Sequence, residues 1–141
     1  MKTRSESLRL AGWHEIETED TWNHLDESIK GGEDGLLKDF HLSHQTYVNK
    51  DLNMVFEGLA SVWLLLQLQN EPVSSVEFLI TEVQSFQIDL NHDLSVTLRF
   101  LDDAVTLSLS YTGTSRITGR QIYYRIPTPS LLGNGQFANV E

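Results

Sequence analysis

Hydrophobic positions change period once along this chain. Trp22, Leu25 and Ile29 stand at i, i+3 and i+7, one apolar stripe of an amphipathic helix. Thr18 suits the N-cap, and Glu19 and Asp20 fall where the positive end of the helix dipole favours acids. Lys30 closes the last turn, and Gly31-Gly32 can supply the left-handed residue that ends it. Upstream of the helix, Trp13 and Ile16 are the positions expected to be buried.

From Leu36 the period becomes two. Phe40, Leu42 and Val48 share one strand face with His44 and Thr46, while Asp39, His41, Ser43, Gln45 and Tyr47 share the other. Asn49-Lys50-Asp51 reads as a turn before Met54 to Phe56. Val62 to Gln69 reads as a strand with a wholly apolar face (Val62, Leu64, Leu66, Leu68) and a half-polar reverse (Trp63, Leu65, Gln67, Gln69), closed by Asn70-Glu71-Pro72. Val76, Phe78 and Ile80 alternate, falter at Glu82 and Gln84, and resume at Phe86, Ile88 and Leu90. The parity is kept, which predicts a bend or short break rather than a one-residue bulge.

Residues 94–111 carry the clearest expectation. A hairpin turning at Asp102-Asp103 pairs Phe100 with Val105, Leu98 with Leu107 and Val96 with Leu109, so every apolar residue meets an apolar partner. Asp tolerates the positive φ that a tight hairpin turn uses. Thr112 to Ser115 is a turn, and Ile122, Tyr124 and Ile126 form a last strand before Pro127 and Pro129. The pattern predicts one α+β domain over residues 1–126, mainly an antiparallel β-sheet (a sandwich or a strongly curved sheet) with one N-terminal amphipathic helix, and an irregular tail over 127–141.

Composition narrows the function more than it names one. The 141 residues include 20 acids against 10 bases, a formal charge of −10 that argues against a generic nucleic-acid or anionic-membrane binder. There is no cysteine, so disulfides and thiolate metal sites are excluded. The N-terminus has no apolar signal region and the most apolar run, Leu59 to Leu66, is far short of the roughly 20 residues of a membrane helix; the expectation is a cytoplasmic protein.

Familiar constellations fail on spacing. Asp39, His41 and Ser43 name the members of a hydrolase triad, but neighbours at i, i+2 on a strand are about 6.5–7 Å apart at the backbone and do not form a relay. His41 and His44, at an odd separation, project to opposite faces of a regular strand, and no third ligand stands at a familiar spacing. Asp89-Leu90-Asn91-His92-Asp93 opens like a calcium loop but lacks the glycine and the bidentate Glu. Gly31-Gly32-Glu33-Asp34-Gly35 holds two carboxylates that would repel phosphate. No catalytic residues, metal or cofactor are assigned.

The charge is unevenly placed. Between His14 and Asp34 stand eight acids (Glu15, Glu17, Glu19, Asp20, Asp26, Glu27, Glu33, Asp34) against one base, Lys30. Between Ala104 and Val140 there is no acid, while Arg116, Arg120 and Arg125 are present. One reading has the acidic helix neutralised by the arginine-bearing strands; the other has an acidic surface that captures a basic protein partner.

The stretch Asp34-Gly35-Leu36-Leu37-Lys38-Asp39-Phe40, followed by Tyr47-Val48-Asn49-Lys50-Asp51-Leu52-Asn53-Met54, resembles a family of small uncharacterised bacterial proteins. In that family a His-Asp motif opens a strand and a Tyr-Val-x-x-Asp-Leu-x-Met segment leads to a strand ending in Gln-x-Gln, here Leu66-Gln67-Leu68-Gln69. Val76-Glu77-Phe78, Val83-Gln84-Ser85-Phe86 and Ile122-Tyr123-Tyr124 are similar to its later strands, whereas Glu33 replaces its His. The layout also resembles small α+β immunity proteins of bacterial polymorphic toxin systems, which implies a stoichiometric inhibitor of a toxin. The leading expectation is therefore a non-enzymatic, immunity-like binding module whose acidic face blocks a cationic effector such as a nuclease. A small-ligand module using Trp63, Tyr47 and Tyr123 is the alternative, although these aromatics are expected rather to pack beneath the helix stripe. An enzyme comes third. A second copy of the chain could cover Trp63 and Leu65 as a homodimer.

Overall fold

The computed structural model describes residues 8, 11–44, 46–56, 60–69, 73–89, 93–112 and 114–127. In chain order the elements are β1 (His14–Glu15), α1 (Glu19–Ile29), a 3-10 turn (Lys30–Gly32), β2 (Leu36–Ser43), β3 (Thr46–Val48), β4 (Met54–Phe56), β5 (Ala60–Gln67), β6 (Ser75–Val83), β7 (Ser85–Gln87), β8 (Thr97–Phe100), β9 (Val105–Ser108), β10 (Arg116–Gly119) and β11 (Gln121–Arg125). The strands form a five-stranded sheet in the order β1-β11-β6-β5-β2, a four-stranded sheet β7-β10-β9-β8, and the isolated pair β3-β4. Every pairing among the described residues is antiparallel.

The helix forms where its stripe predicts. Thr18 Oγ1 accepts from Thr21 N–H at 3.3 Å, and Trp22, Leu25 and Ile29 are buried. Its end differs from the expectation: Lys30 itself takes the left-handed conformation (φ 53°) and its N–H reaches the Asp26 carbonyl. Gly31 and Gly32 then continue through positive φ. Gly32 is needed for its size as well, because a Cβ there would lie 2.5 Å from Val96 Cγ2.

One core joins the two larger sheets. Val62, Leu64 and Leu66 of β5, Val76, Phe78 and Ile80 of β6 and Ile122 of β11 share it with Val105 and Leu107 of β9 and Ile117 of β10. The helix stripe packs into the same core, with the Trp22 and Phe78 rings 6.4 Å apart. Each such aliphatic or aromatic side chain contributes roughly 1.5–3 kcal/mol on burial. The hairpin expectation is met at Phe100↔Val105 and Leu98↔Leu107 but not at Val96 and Leu109: the ladder ends at Thr97↔Ser108, Val96 N–H donates to the Gly31 carbonyl at 2.8 Å, and Ser95 N–H donates to the Leu109 carbonyl at 3.1 Å. The turn uses no positive φ at Asp102 or Asp103, correcting that detail; both keep the negative φ that most residues adopt in turns.

Two strand paths depart from the sequence pattern. The alternation from Phe40 to Val48 is not one strand: β2 stops at Ser43, and among the described residues β3 pairs only with β4, closed by Asn49 Oδ1 accepting from Asp51 and Asn53 N–H at 3.0 Å each. Within β2 the register slips between Leu37 and Asp39, so Lys38 is an extra residue. The path through Glu82 and Gln84 does break, as expected, into β6 and β7. A one-residue register shift accompanies the break, which the unchanged parity had argued against. Thr81 pairs with Gln121 and Ser85 with Thr118, so three residues of one path lie opposite two of the other. Glu82 absorbs the extra residue at φ 51°.

That corner carries the chain from one sheet to the other. Gln84 N–H donates to the Thr118 carbonyl and Arg120 N–H to the Thr81 carbonyl, so the ribbon stays paired through the bend. A Cβ on Gly119 would lie 2.5 Å from Ile80 Cγ2 and 2.7 Å from the Thr81 carbonyl oxygen. Gly119→Val is accordingly expected to destabilise the fold by about 2–3 kcal/mol, the scale of overpacking a filled core. Urea denaturation monitored by tryptophan fluorescence measures it; a midpoint unchanged from the parent would show that the corner can open freely.

Candidate functional site

The reverse face of the five-stranded sheet is where chemistry and burial coincide. Residues of odd number in β5, β6 and β11 point away from the shared core, which places Trp63, Glu77 and Arg125 on that reverse face. Glu77 and Arg125 are direct cross-strand partners. The Glu77 side chain is 1% exposed and accepts from Arg125 Nε (2.7 Å), Arg125 Nη2 (2.9 Å) and Trp63 Nε1 (2.8 Å). Three donors on one carboxylate offset the cost of removing its charge from water.

Arg125 also ties down the segment before β1. Its Nη1 donates to the Ala11 carbonyl at 3.0 Å, and its guanidinium carbon lies 4.3 Å from the Trp13 ring centroid. Trp13 is buried by this stacking, and β1 follows it against β11, His14 opposite Tyr124 and Glu15 opposite Tyr123. The polar network therefore positions the edge of the sheet.

Two cavities flank that edge and share Glu15 and Glu17. One, of about 640 Å³, is bordered by Trp13, His14, Tyr123 and Tyr124. The other, of about 420 Å³, adds Asp102 and Asp103 from the β8–β9 turn, with Arg120 in its wall. Burial, and then repulsion from Glu17, raises the Glu15 carboxyl above its ordinary range.

The eight acids singled out by the sequence are placed unequally. Glu17, Glu19, Asp20, Glu27, Glu33 and Asp34 are exposed, and Glu15 and Asp26 half-buried. Among the described residues none of the eight is in a salt bridge. Arg125 pairs with Glu77, and Arg120 lies 3.9 Å from Glu82, both acids of β6 rather than of the acidic segment. Glu33 and Asp34 stand apart from the β1 cavities beside Asp93, where Tyr111 Oη donates to Glu33 Oε1 at 3.1 Å. Asp26 is an internal misfit: its Oδ1 is buried without a hydrogen-bond partner. Burial raises its pKa, Glu27 adds to this, and the Gly31 N–H bonded to the carboxyl opposes it.

Other expectations resolve differently. Trp63 and Tyr123 do not pack beneath the helix; they lie on the opposite sheet face, and Tyr47 is exposed on the separate β3-β4 pair. These three aromatics do not converge. Leu65 is buried at 4%, so the apolar reverse face is not open at that position. Asp39 Oδ1 accepts its neighbour Phe40 N–H at 2.9 Å. Part of the calcium-like stretch, residues 90–92, and the tail from 128 lie outside the described residues. Sequence reasoning missed Glu77 and Arg125 as partners, although Glu77 stands between the apolar Val76 and Phe78 and Arg125 is the one charge of β11.

No family model, curated protein or solved structure matches the chain.

Two stability experiments follow from this geometry. A folded-state pKa raised above the unfolded value costs stability once the group ionises, so Asp26→Asn should stabilise the protein at neutral pH by about 0.5 kcal/mol, the scale of a charge at a helix terminus. The gain should vanish as pH falls below the ordinary Asp value of about 3.9; a gain independent of pH in thermal melts would refute the assignment. Arg125→Met should cost roughly 3–5 kcal/mol because it strands the buried Glu77 carboxylate. Glu77→Gln should cost less, about 2 kcal/mol, since Arg125 keeps access to water. Equal losses in urea denaturation would contradict this asymmetry.

Proposed function

We propose that the protein is a non-enzymatic, immunity-like binding module whose acidic face captures a basic protein partner. The observation that carries this reading is the gathering of Glu15 and Glu17 with Asp102 and Asp103 around one cavity. Sequence neighbours alone put the first pair together, but the fold adds the hairpin turn. The exposed helix acids Asp20 and Glu27, at i and i+7, extend the same sign of charge along the side of α1 away from its buried stripe.

Arg120 and Arg125 support the reading from the other side. Their carboxylate partners, Glu82 and Glu77, lie on β6 and not in the acidic segment. Such a face speeds encounter with a cation more than it tightens the final complex, and its effect fades when the Debye length falls below about 10 Å near 0.1 M salt. The resemblance to toxin-immunity proteins makes a cationic effector, a nuclease for example, the kind of partner such a face suits.

The test is capture of partners by the immobilised full chain, compared with the Asp20→Asn/Glu27→Gln/Asp102→Asn/Asp103→Asn variant. Any protein identified by mass spectrometry is then purified and its association rate measured against salt. The expected partner is basic, binds one to one, associates at least about tenfold more slowly as salt rises from 0.05 to 0.5 M, and loses most of that rate with the variant. A neutral or acidic partner, or one indifferent to the four substitutions, would overturn the reading.

A further inference from the structure

We propose that the cavity bordered by Trp13, His14, Glu15, Glu17, Tyr123 and Tyr124 is a socket for a single cationic side chain, lysine or arginine, presented by the partner. The proposal rests on the acidic-face reading and gives it a defined point of contact.

Shape and chemistry both select this class of ligand. About 640 Å³ accommodates a long side chain with room for the backbone that carries it. The aromatic wall suits the methylene stem, while Glu15 and Glu17 offer carboxylates to the charged end. An anion would meet two like charges. An apolar ligand would cover those carboxylates without pairing them. A cation satisfies both halves of the lining.

A further observation agrees. Glu15 and Glu17 border the same cavity, and burial and then repulsion from Glu17 disfavour the Glu15 charge, a penalty that a cation beside them relieves.

The experiment titrates Nα-acetyl-lysine methylamide, Nα-acetyl-arginine methylamide and the uncharged Nα-acetyl-norleucine methylamide into the full chain. Amide and indole N–H resonances of Trp13, Glu15 and Tyr124 report on the cavity. At least one cationic probe should produce saturable shifts confined to these residues, with norleucine about tenfold weaker or weaker still. The two cationic arms decide between an ammonium and a guanidinium. Glu15→Gln/Glu17→Gln should weaken the cationic probe by about tenfold and leave norleucine unchanged. The exposed single substitution Glu17→Gln keeps the test decisive if the double variant does not fold, with about a threefold loss expected. Equal binding of norleucine, shifts elsewhere on the protein, no saturable binding, or variants that bind like the parent would each overturn the socket. Failure here with partner capture still dependent on Asp20, Glu27, Asp102 and Asp103 would leave the acidic-face reading intact. A working socket in a protein whose partner ignores those four residues would do the opposite.

Discussion

The structure depends on a ribbon turning a corner without losing its hydrogen bonds. β6–β7 and β10–β11 belong to both larger sheets, and the core exists because this pair bends at Glu82–Gln84 and Gly119–Arg120. Three residues opposite two give the bend, a left-handed Glu82 accommodates the surplus, and the missing Cβ of Gly119 lets the two paths approach. A left-handed non-glycine residue costs on the order of 1–2 kcal/mol. Burial of Ile80, Ile117 and Ile122 around the corner exceeds that several times over, so the strained residue is held by its neighbours.

On the other face of the same sheet a different constraint operates. Glu77 stands between Val76 and Phe78 at a position that strand parity turns away from the core, yet it is almost wholly excluded from water. Its charge is tolerable because Arg125 and Trp63 meet it with directed donors, and Arg125 in turn stacks on Trp13 and holds the Ala11 carbonyl. A buried ion pair adds little net stability compared with apolar packing, but it fixes register and orientation where apolar contacts would tolerate sliding. Here the orientation that it fixes is that of the short β1 strand, and with it the place of Glu15.

How much was legible in the sequence follows from the range of each interaction. The helix stripe, the Asp102-Asp103 hairpin and the apolar face of β5 are local patterns of period 3.6 or 2, and each appears at its expected residues. Strand ends and register slips are decided by partners far along the chain: Lys38 is extruded by the pairing of β2 with β5, and β3 leaves that path because β4 offers it a separate partner. Parity through Glu82 could not reveal the slip, because the shift is counted between two paths and not along one. In the same way the acidic segment from Glu15 to Asp34 was visible as a run, whereas the arrival of Asp102 and Asp103 beside Glu15 and Glu17 required the fold.

This spatial arrangement also decides what the formal charge of −10 means physically. Acids followed by arginines along a chain would ordinarily be read as internal compensation. The fold instead pairs Arg125 with Glu77 and sets Arg120 3.9 Å from Glu82, both acids of β6, the strand that pairs with β11. Repulsion within the acidic segment then persists in the free protein, and it is concentrated where Glu15 and Glu17 border two cavities. Like charges held together by a rigid edge raise the energy of the unbound state, and any cation of matching shape lowers it. The Glu77–Arg125 pair thus holds the acidic edge in place through Trp13 and Ala11, and Arg120 stands in the wall of the cavity where Glu15 and Glu17 meet Asp102 and Asp103.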